Sequence, residues 1–258
     1  MPTKDEKSCN VLLIGAGNLG EALLDGMLKN DIDVAVSVRT HDKQLKLSEY
    51  YPSLDIKVSD DEIDIAGKDV ILAVKPNTFY GMKFVGEAKS FISVMAKVPL
   101  CDIRDRVSAG FYARAMPNIA AKHEKSVTAI TGDEEIRVNT VRLFSSIGRG
   151  VWVDSEDELN IATALAGSGP AFLAVVAEAM VDGAVRVGLK RALAEELTEG
   201  LFDGFTALLE NSKASKIKED VMSPKGTTAA GLFELESNAV RASFMKAVEA
   251  AYIKASKV

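Results

Sequence analysis

The sequence predicts an α/β domain built on a parallel sheet covered on both faces, followed by an all-α domain, and three observations carry that prediction. Up to about Asp154, short β-rich runs alternate with helical patterns, the signature of strands connected by helices that pack over the sheet. The opening runs are almost wholly apolar, as strands buried on both faces must be. Beyond Asp154 the β-rich runs stop and only helical periodicity remains. At 258 residues and 47% hydrophobic composition, the chain is long enough for two modest domains with real cores. The expected division is 1–154 and 155–258.

In order, the β-rich runs are "NVLLIG", "DVAVSV", "DIKVS", "DVILAV", "FISVMA", "FYARAM", "SVTAI" and "GVWV", rich in the residues that fit a pleated, buried surface. Helices are expected between them near 18–29, 42–50, 77–88 and 133–147. In the second part they are expected at about 156–166, 170–189, 192–211 and 239–256, with shorter pieces between. Within "PAFLAVVAEAMVDGAVRVGL", Phe172, Val176, Ala179 and Gly183 recur at helical spacing, and Val175, Met180 and Val187 widen the apolar face. Such a helix is hidden from water on several sides, and a helix-on-helix dimer is the simplest cover. The polar stretch "ENSKASKIKED", 210–220, is the expected flexible segment.

The first run ends in "GAGNLG", where Gly15, Gly17 and Gly20 form a GxGxxG pattern between a strand and a helix. The first glycine permits a tight turn, the second lets backbone approach a pyrophosphate, and the third lets helix and strand pack closely. A helix start there offers free N–H groups to phosphates. The pattern in this context predicts a Rossmann-type dinucleotide-binding domain. An NAD site places an acid at the end of the second strand to hold the ribose 2′-hydroxyl. Here "VSVRTHDKQ" supplies Ser37 and Arg39, with Thr40 and Lys43 following, donors and charge that suit the 2′-phosphate of NADP. A fourth strand ending in Val74-Lys75-Pro76 would lie at the carboxyl edge of the sheet, where backbone lines the cofactor.

The bulk numbers exclude several classes. The formal charge of −6 is spread over both halves with no basic block, which excludes a phosphate-backbone binder and so nucleic acid as a partner. No apolar run reaches about 18 residues, and the first ten lack a secretory core, so a cytoplasmic protein without a membrane partner is expected. Two cysteines, Cys9 and Cys101, and two distant histidines, His41 and His123, form neither a metal site nor a catalytic relay.

"RAMPNIAA", "ALAGSGPAFLAVVAEAMVDGAVRVGL" and "VMSPKGTTAAGLFELE", in that order behind the glycine turn, resemble the pyrroline-5-carboxylate reductase family over the whole chain. The resemblance implies reduction of the cyclic imine of 1-pyrroline-5-carboxylate to L-proline with NADPH rather than NADH. It implies a homodimer, or a higher assembly of dimers, in which the C-terminal domain dimerises. Cofactor contacts then fall to Gly15, Gly17, Asn18, Leu19, Gly20, Ser37, Arg39, Val74, Lys75, Pro76 and Asn118. The substrate would meet Ser223, Gly226, Thr227, Thr228 and Ser168, with Ser223 and the backbone near Gly226 and Thr227 holding the carboxylate and Thr228 the ring nitrogen. Read from the residues alone, "SPKGTT" ahead of a helix is an anion site made of N–H and hydroxyl donors, or else Thr227 or Thr228 is an N-cap. Three residues depart from the family pattern: Lys97 for a glycine, Ile119 for a threonine, and Lys225 for the loop's first glycine. A non-glycine at Lys225 restricts the backbone torsions there. A reductase of a related cyclic imine, and a non-catalytic nucleotide-binding oligomeric protein, are the alternatives. A β-hydroxyacid dehydrogenase is disfavoured because 170–189 lacks a lysine.

Overall fold

The computed structural model describes residues 10–59 and 62–256, so Cys9 lies outside the described residues. The first unit opens with β1 (Val11–Ile14), α1 (Asn18–Lys29), β2 (Val34–Val38), α2 (His41–Tyr50) and β3 (Ile56–Val58). A short β4 (Glu62–Asp64) and β5 (Asp69–Leu72) follow, then α3 (Pro76–Phe79), β6 (Lys83–Val85) and β7 (Ala88–Ser93). Next come α4 (Leu100–Arg104), β8 (Ala109–Met116), a 3-10 turn at Ile119–His123 and β9 (Ser126–Gly132). A second 3-10 turn (Glu134–Ile136) leads into α5 (Arg137–Ser145), β10 (Gly148–Trp152), α6 (Glu156–Ala162) and a π turn over Thr163–Gly167.

Eight strands form one sheet in the order β10-β9-β8-β7-β5-β1-β2-β3. The chain winds outward from β1 to β3, then returns to β5 on the other side of β1, so the switch point lies where β1 and β5 end. Alternate side chains go to opposite faces: Leu13 joins one buried cluster with Val36, Leu23 and Leu24, while Leu12 and Ile14 join another with Val70, Leu72 and Phe91. Burial on both faces explains the apolar runs. α1 lies close against the end of α5, since a Cβ on Gly26 would stand 2.6 Å from the Ser146 carbonyl oxygen.

Several expectations are corrected. The sheet is mixed, because β8 and β9 pair antiparallel; the connection 117–125 is too short for the crossover that a parallel pair requires. No helix spans 77–88. α3 stops after one turn, and the chain forms β6, which pairs with β4 as a separate two-stranded ladder. The strand at "DVILAV" ends at Leu72, leaving Val74 and Lys75 beyond it and Pro76 as the first residue of α3. The helix expected at 156–166 divides into α6 and the π turn.

By compactness the chain divides into Met1–Gly167 with Ala251–Val258, and Ser168–Ala250, a later break than 154/155. α6 belongs to the first unit because Glu156 accepts from Arg114 Nη1 at 2.7 Å and from the Leu100 N–H at 3.0 Å. Asp157 accepts from the Tyr252 hydroxyl at 2.8 Å, and Leu159 is fully buried.

Beyond the π turn lie α7 (Gly169–Arg186), α8 (Arg191–Asn211), α9 (Ala214–Val221), α10 (Thr227–Ser237) and α11 (Val240–Ser256). α9 occupies the stretch expected to be flexible, with Ile217 as its buried anchor. Within one protomer α7 buries only Val181 and α8 only Ala194, and α10 and α11 bury nothing. Val175 is 63% and Val187 86% exposed, so the face expected to be hidden is open in the single chain.

Candidate active site

The turn after β1 uses its three glycines for three purposes. Gly15 holds φ +95°, and a Cβ there would stand 2.6 Å from the Ala73 carbonyl oxygen; on Gly20 it would stand 2.2 Å from that of Gly15. Neither position tolerates a side chain. A Cβ on Gly17 would meet nothing within 4 Å, so the backbone there is open to an approaching group. Gly17 is also the N-cap of α1 and brings no side-chain hydrogen bond. The first N–H groups of α1 therefore face outward without a protein cap, as an anion at a helix start requires.

On one side of the turn runs a groove of about 350 Å³ to which Gly15, Ser37, Arg39 and Val74 all contribute. The Gly15 N–H donates to the Ser37 carbonyl at 2.9 Å, which ties the ends of β1 and β2 together. The buried Ser37 hydroxyl donates to Ser59 Oγ at 2.9 Å. Among the described residues, no carboxylate lines the groove and Arg39 makes no ion pair. Thr40 and Lys43 are otherwise engaged: Thr40 caps α2 by accepting from the Lys43 N–H at 3.3 Å, and Lys43 pairs with Glu21. Lys75 is exposed and is the N-cap of α3. Sequence reasoning missed Ser59, Asn77, Thr78 and Lys83, which complete the groove. Asn77 and Thr78 directly follow the "VKP" that marks the strand end, whereas Lys83 falls within the stretch expected to be helical.

A second groove, about 220 Å³, is lined by Asn18, Leu19, Asn118, Ile119 and Lys122. The Asn118 side chain is committed within the protein: its Oδ1 accepts from the Ala120 N–H at 3.1 Å, and its Nδ2 donates to the Ala166 carbonyl at 3.0 Å. That carbonyl belongs to the π turn, a helix irregularity that recurs at functional sites. Asn118 thus braces the groove that it lines. Ile119, where the family pattern has threonine, is 72% exposed.

In the helical unit, Ser223-Pro224-Lys225-Gly226 forms a reverse turn closed by the Gly226 N–H donating to the Ser223 carbonyl at 3.0 Å. Pro224 suits the second position, and Lys225 takes φ +61° at the third, where such turns favour glycine. Gly226 is the N-cap of α10 and has no side-chain cap bond. Thr227 and Thr228 are the first two residues of α10, so neither is its cap. A Cβ on Gly226 would lie 2.3 Å from Ser223 Oγ, which places that hydroxyl against the helix start. Hydroxyl and N–H donors meet there. Ser168 precedes α7, with its carbonyl accepting from the Ala171 N–H at 3.0 Å. Lys97, the other lysine at a family glycine, also holds positive φ, +63°.

Comparison with known proteins also divides the chain in two, with the second match starting at residue 156, ahead of the break after Gly167. Residues 156–258 match the family described as pyrroline-5-carboxylate reductase dimerisation. Residues 10–97 match the one described as NADP oxidoreductase, coenzyme F420-dependent. A pyrroline-5-carboxylate reductase of Helicobacter pylori is 33% identical over 241 residues, 91% of this chain and 94% of that protein. One from Methanosarcina acetivorans is 35% identical over 250 residues, 91% and 92% of the two chains. The solved structure of a pyrroline-5-carboxylate reductase from Coxiella burnetii superposes with a TM-score of 0.82 at 27% identity, over 96% of this chain and 98% of that one.

Proposed function

The chain belongs to the pyrroline-5-carboxylate reductase family, and on that premise we propose that it reduces 1-pyrroline-5-carboxylate to L-proline, with NADPH preferred over NADH. The observation that carries this reading is the pairing of two uncapped helix starts in one chain, α1 behind the glycine turn and α10 behind the Ser223 turn. Each suits an anion. The first takes the cofactor pyrophosphate, approached through the open backbone at Gly17, and the second takes the substrate carboxylate.

Bound NADPH supplies the hydride to the imine carbon. The chain's own residues bind and orient. Ser223 and the backbone near Gly226 and Thr227 hold the carboxylate, and the Thr228 hydroxyl, one residue further along, hydrogen-bonds the ring nitrogen. Ser168 adds a hydroxyl near the substrate, and Asn118 keeps the second groove in shape. Since the reaction needs mainly proximity and a managed proton, it requires no histidine relay. Arg39, with Ser37 beside it, reads the 2′-phosphate.

We assign the open face of α7, α8 and α10 to a second copy of the chain. The stretch 156–186 is by length and composition apolar enough to cross a membrane, with mean hydropathy 1.6 and 11% of that window buried in one protomer. Its match to a dimerisation family favours a protein cover, and we read the chain as a homodimer of the cytoplasm. Following NADPH and NADH oxidation with pyrroline-5-carboxylate in the spectrophotometer tests the activity. Cofactor binding without imine-dependent oxidation would favour a non-catalytic role instead.

A further inference from the structure

We infer that Lys83 is a second cation of the 2′-phosphate site, acting across the groove from Arg39; the inference rests on the NADPH reading above and refines it. The placement follows from the break in the expected helix. α3 ends after Phe79, the Gly81 N–H donates to the Thr78 carbonyl at 3.2 Å and the Met82 N–H to the Phe79 carbonyl at 3.0 Å. The chain turns there and leaves as β6 beside β4, with Lys83 opposite Glu62 in the ladder. Phe84 anchors the strand, edge-on to Phe91 at 5.5 Å between ring centroids and 6.3 Å from Phe79. Since neighbouring strand residues face opposite ways, anchoring Phe84 inward turns Lys83 outward, and Lys83 lines the same groove as Arg39, Ser37 and Ser59.

Charge gives that wall its meaning. Among the described residues neither Lys83 nor Arg39 makes an ion pair, and Lys83 makes none even with its ladder neighbour Glu62. The described residues that line the groove include two cations and no carboxylate. A neutral ribose hydroxyl needs one acceptor; a phosphate dianion needs donors and cations from more than one side. The lysine on β6 supplies the second side.

Equilibrium binding of NADPH, NADH, 2′,5′-ADP and 5′-ADP to the full-length protein tests this without turnover. Lys83→Gln is expected to weaken NADPH and 2′,5′-ADP by about 5- to 20-fold, to leave NADH and 5′-ADP within about twofold, and to flatten the salt dependence of NADPH binding. Lys83→Arg should restore most of the loss. Equal weakening of all four ligands would mean that Lys83 meets the pyrophosphate, and no weakening would mean that it meets no ligand; either overturns the inference. If Arg39→Ala abolishes the preference for NADPH while Lys83→Gln does not, the cofactor reading stands and only Lys83 falls. A wild-type protein that binds NADH as tightly as NADPH would overturn both.

Discussion

Thr228 and Ser223 lie five residues apart yet have different tasks in the proposed reaction, and kinetics separates them. Thr228→Ala should lower kcat more than it raises KM, because the contact at nitrogen strengthens as that atom's charge changes, whereas Ser223→Ala should chiefly raise KM. The opposite pattern would exchange their roles. Between them stands Lys225 at φ +61°, a conformation that L residues adopt at a cost of about 1–2 kcal/mol. Replacing it with glycine removes that cost but adds about 0.4–1 kcal/mol of unfolded-state entropy. Lys225→Gly should therefore stabilise the protein by roughly 0.5–1 kcal/mol, read as a higher urea midpoint at fixed protein concentration. A lower midpoint would show that the lysine side chain itself holds the turn. The family resemblance marks Lys225 and Lys97 as standing where glycine is usual, and both hold positive φ.

At the scale of elements, the β1–turn–α1 unit separates folding from binding at two glycines. A methyl on Gly20 would meet the Gly15 carbonyl oxygen at 2.2 Å, so Gly20→Ala must push strand and helix apart, at about 1–3 kcal/mol. A methyl on Gly17 meets nothing within 4 Å, and its φ of −78° suits alanine. Gly17→Ala should keep its Tm and lose NADPH affinity by tenfold or more, since the added carbon occupies the phosphate approach. A large drop in Tm for Gly17→Ala, or none for Gly20→Ala, would contradict this geometry. This unit was legible because its signals are local: an apolar strand, a glycine spacing and a helix pattern in adjacent residues. β6 was not, since "KFV" is three residues long and fits a helix opened by Pro76 as well as it fits a strand. α9 was obscured by composition; Ile217 and Val221 at helical spacing are few among charged neighbours. The direction of β9 depends on the length of its connection, which no periodicity records. The glycine turn, Arg39 and the Ser223 turn could be picked out as candidates because each lies in a contiguous motif, whereas Ser59 and Lys83 enter the groove through tertiary pairing.

For the whole molecule, the helical unit poses a problem of surface. Leu197 at 64%, Leu201 at 51%, Phe233 at 69% and Met245 at 72% exposure are large apolar side chains left open by helices that bury almost nothing in one protomer. Apolar surface of that extent on a soluble protein marks an interface, and an isologous contact covers the same face on both copies at once. We expect the pocket to be shared, the cofactor side from one copy and the Ser223 turn from the other. That arrangement makes complementation possible. An Arg39→Ala chain keeps a sound substrate turn, and a Thr228→Ala chain keeps a sound cofactor groove, so a mixed dimer holds one intact site and one doubly defective one. Reversible dissociation and random reassociation of an equal mixture should restore about a quarter of wild-type NADPH oxidation, since half the dimers are mixed and each has one working site of two. Each variant alone should stay near its own low rate. With subunit exchange verified by mass-tagged chains, a mixture no more active than the average of its parents would mean that each site is built within a single chain, and the exposed helical face would then be an interface without a catalytic role.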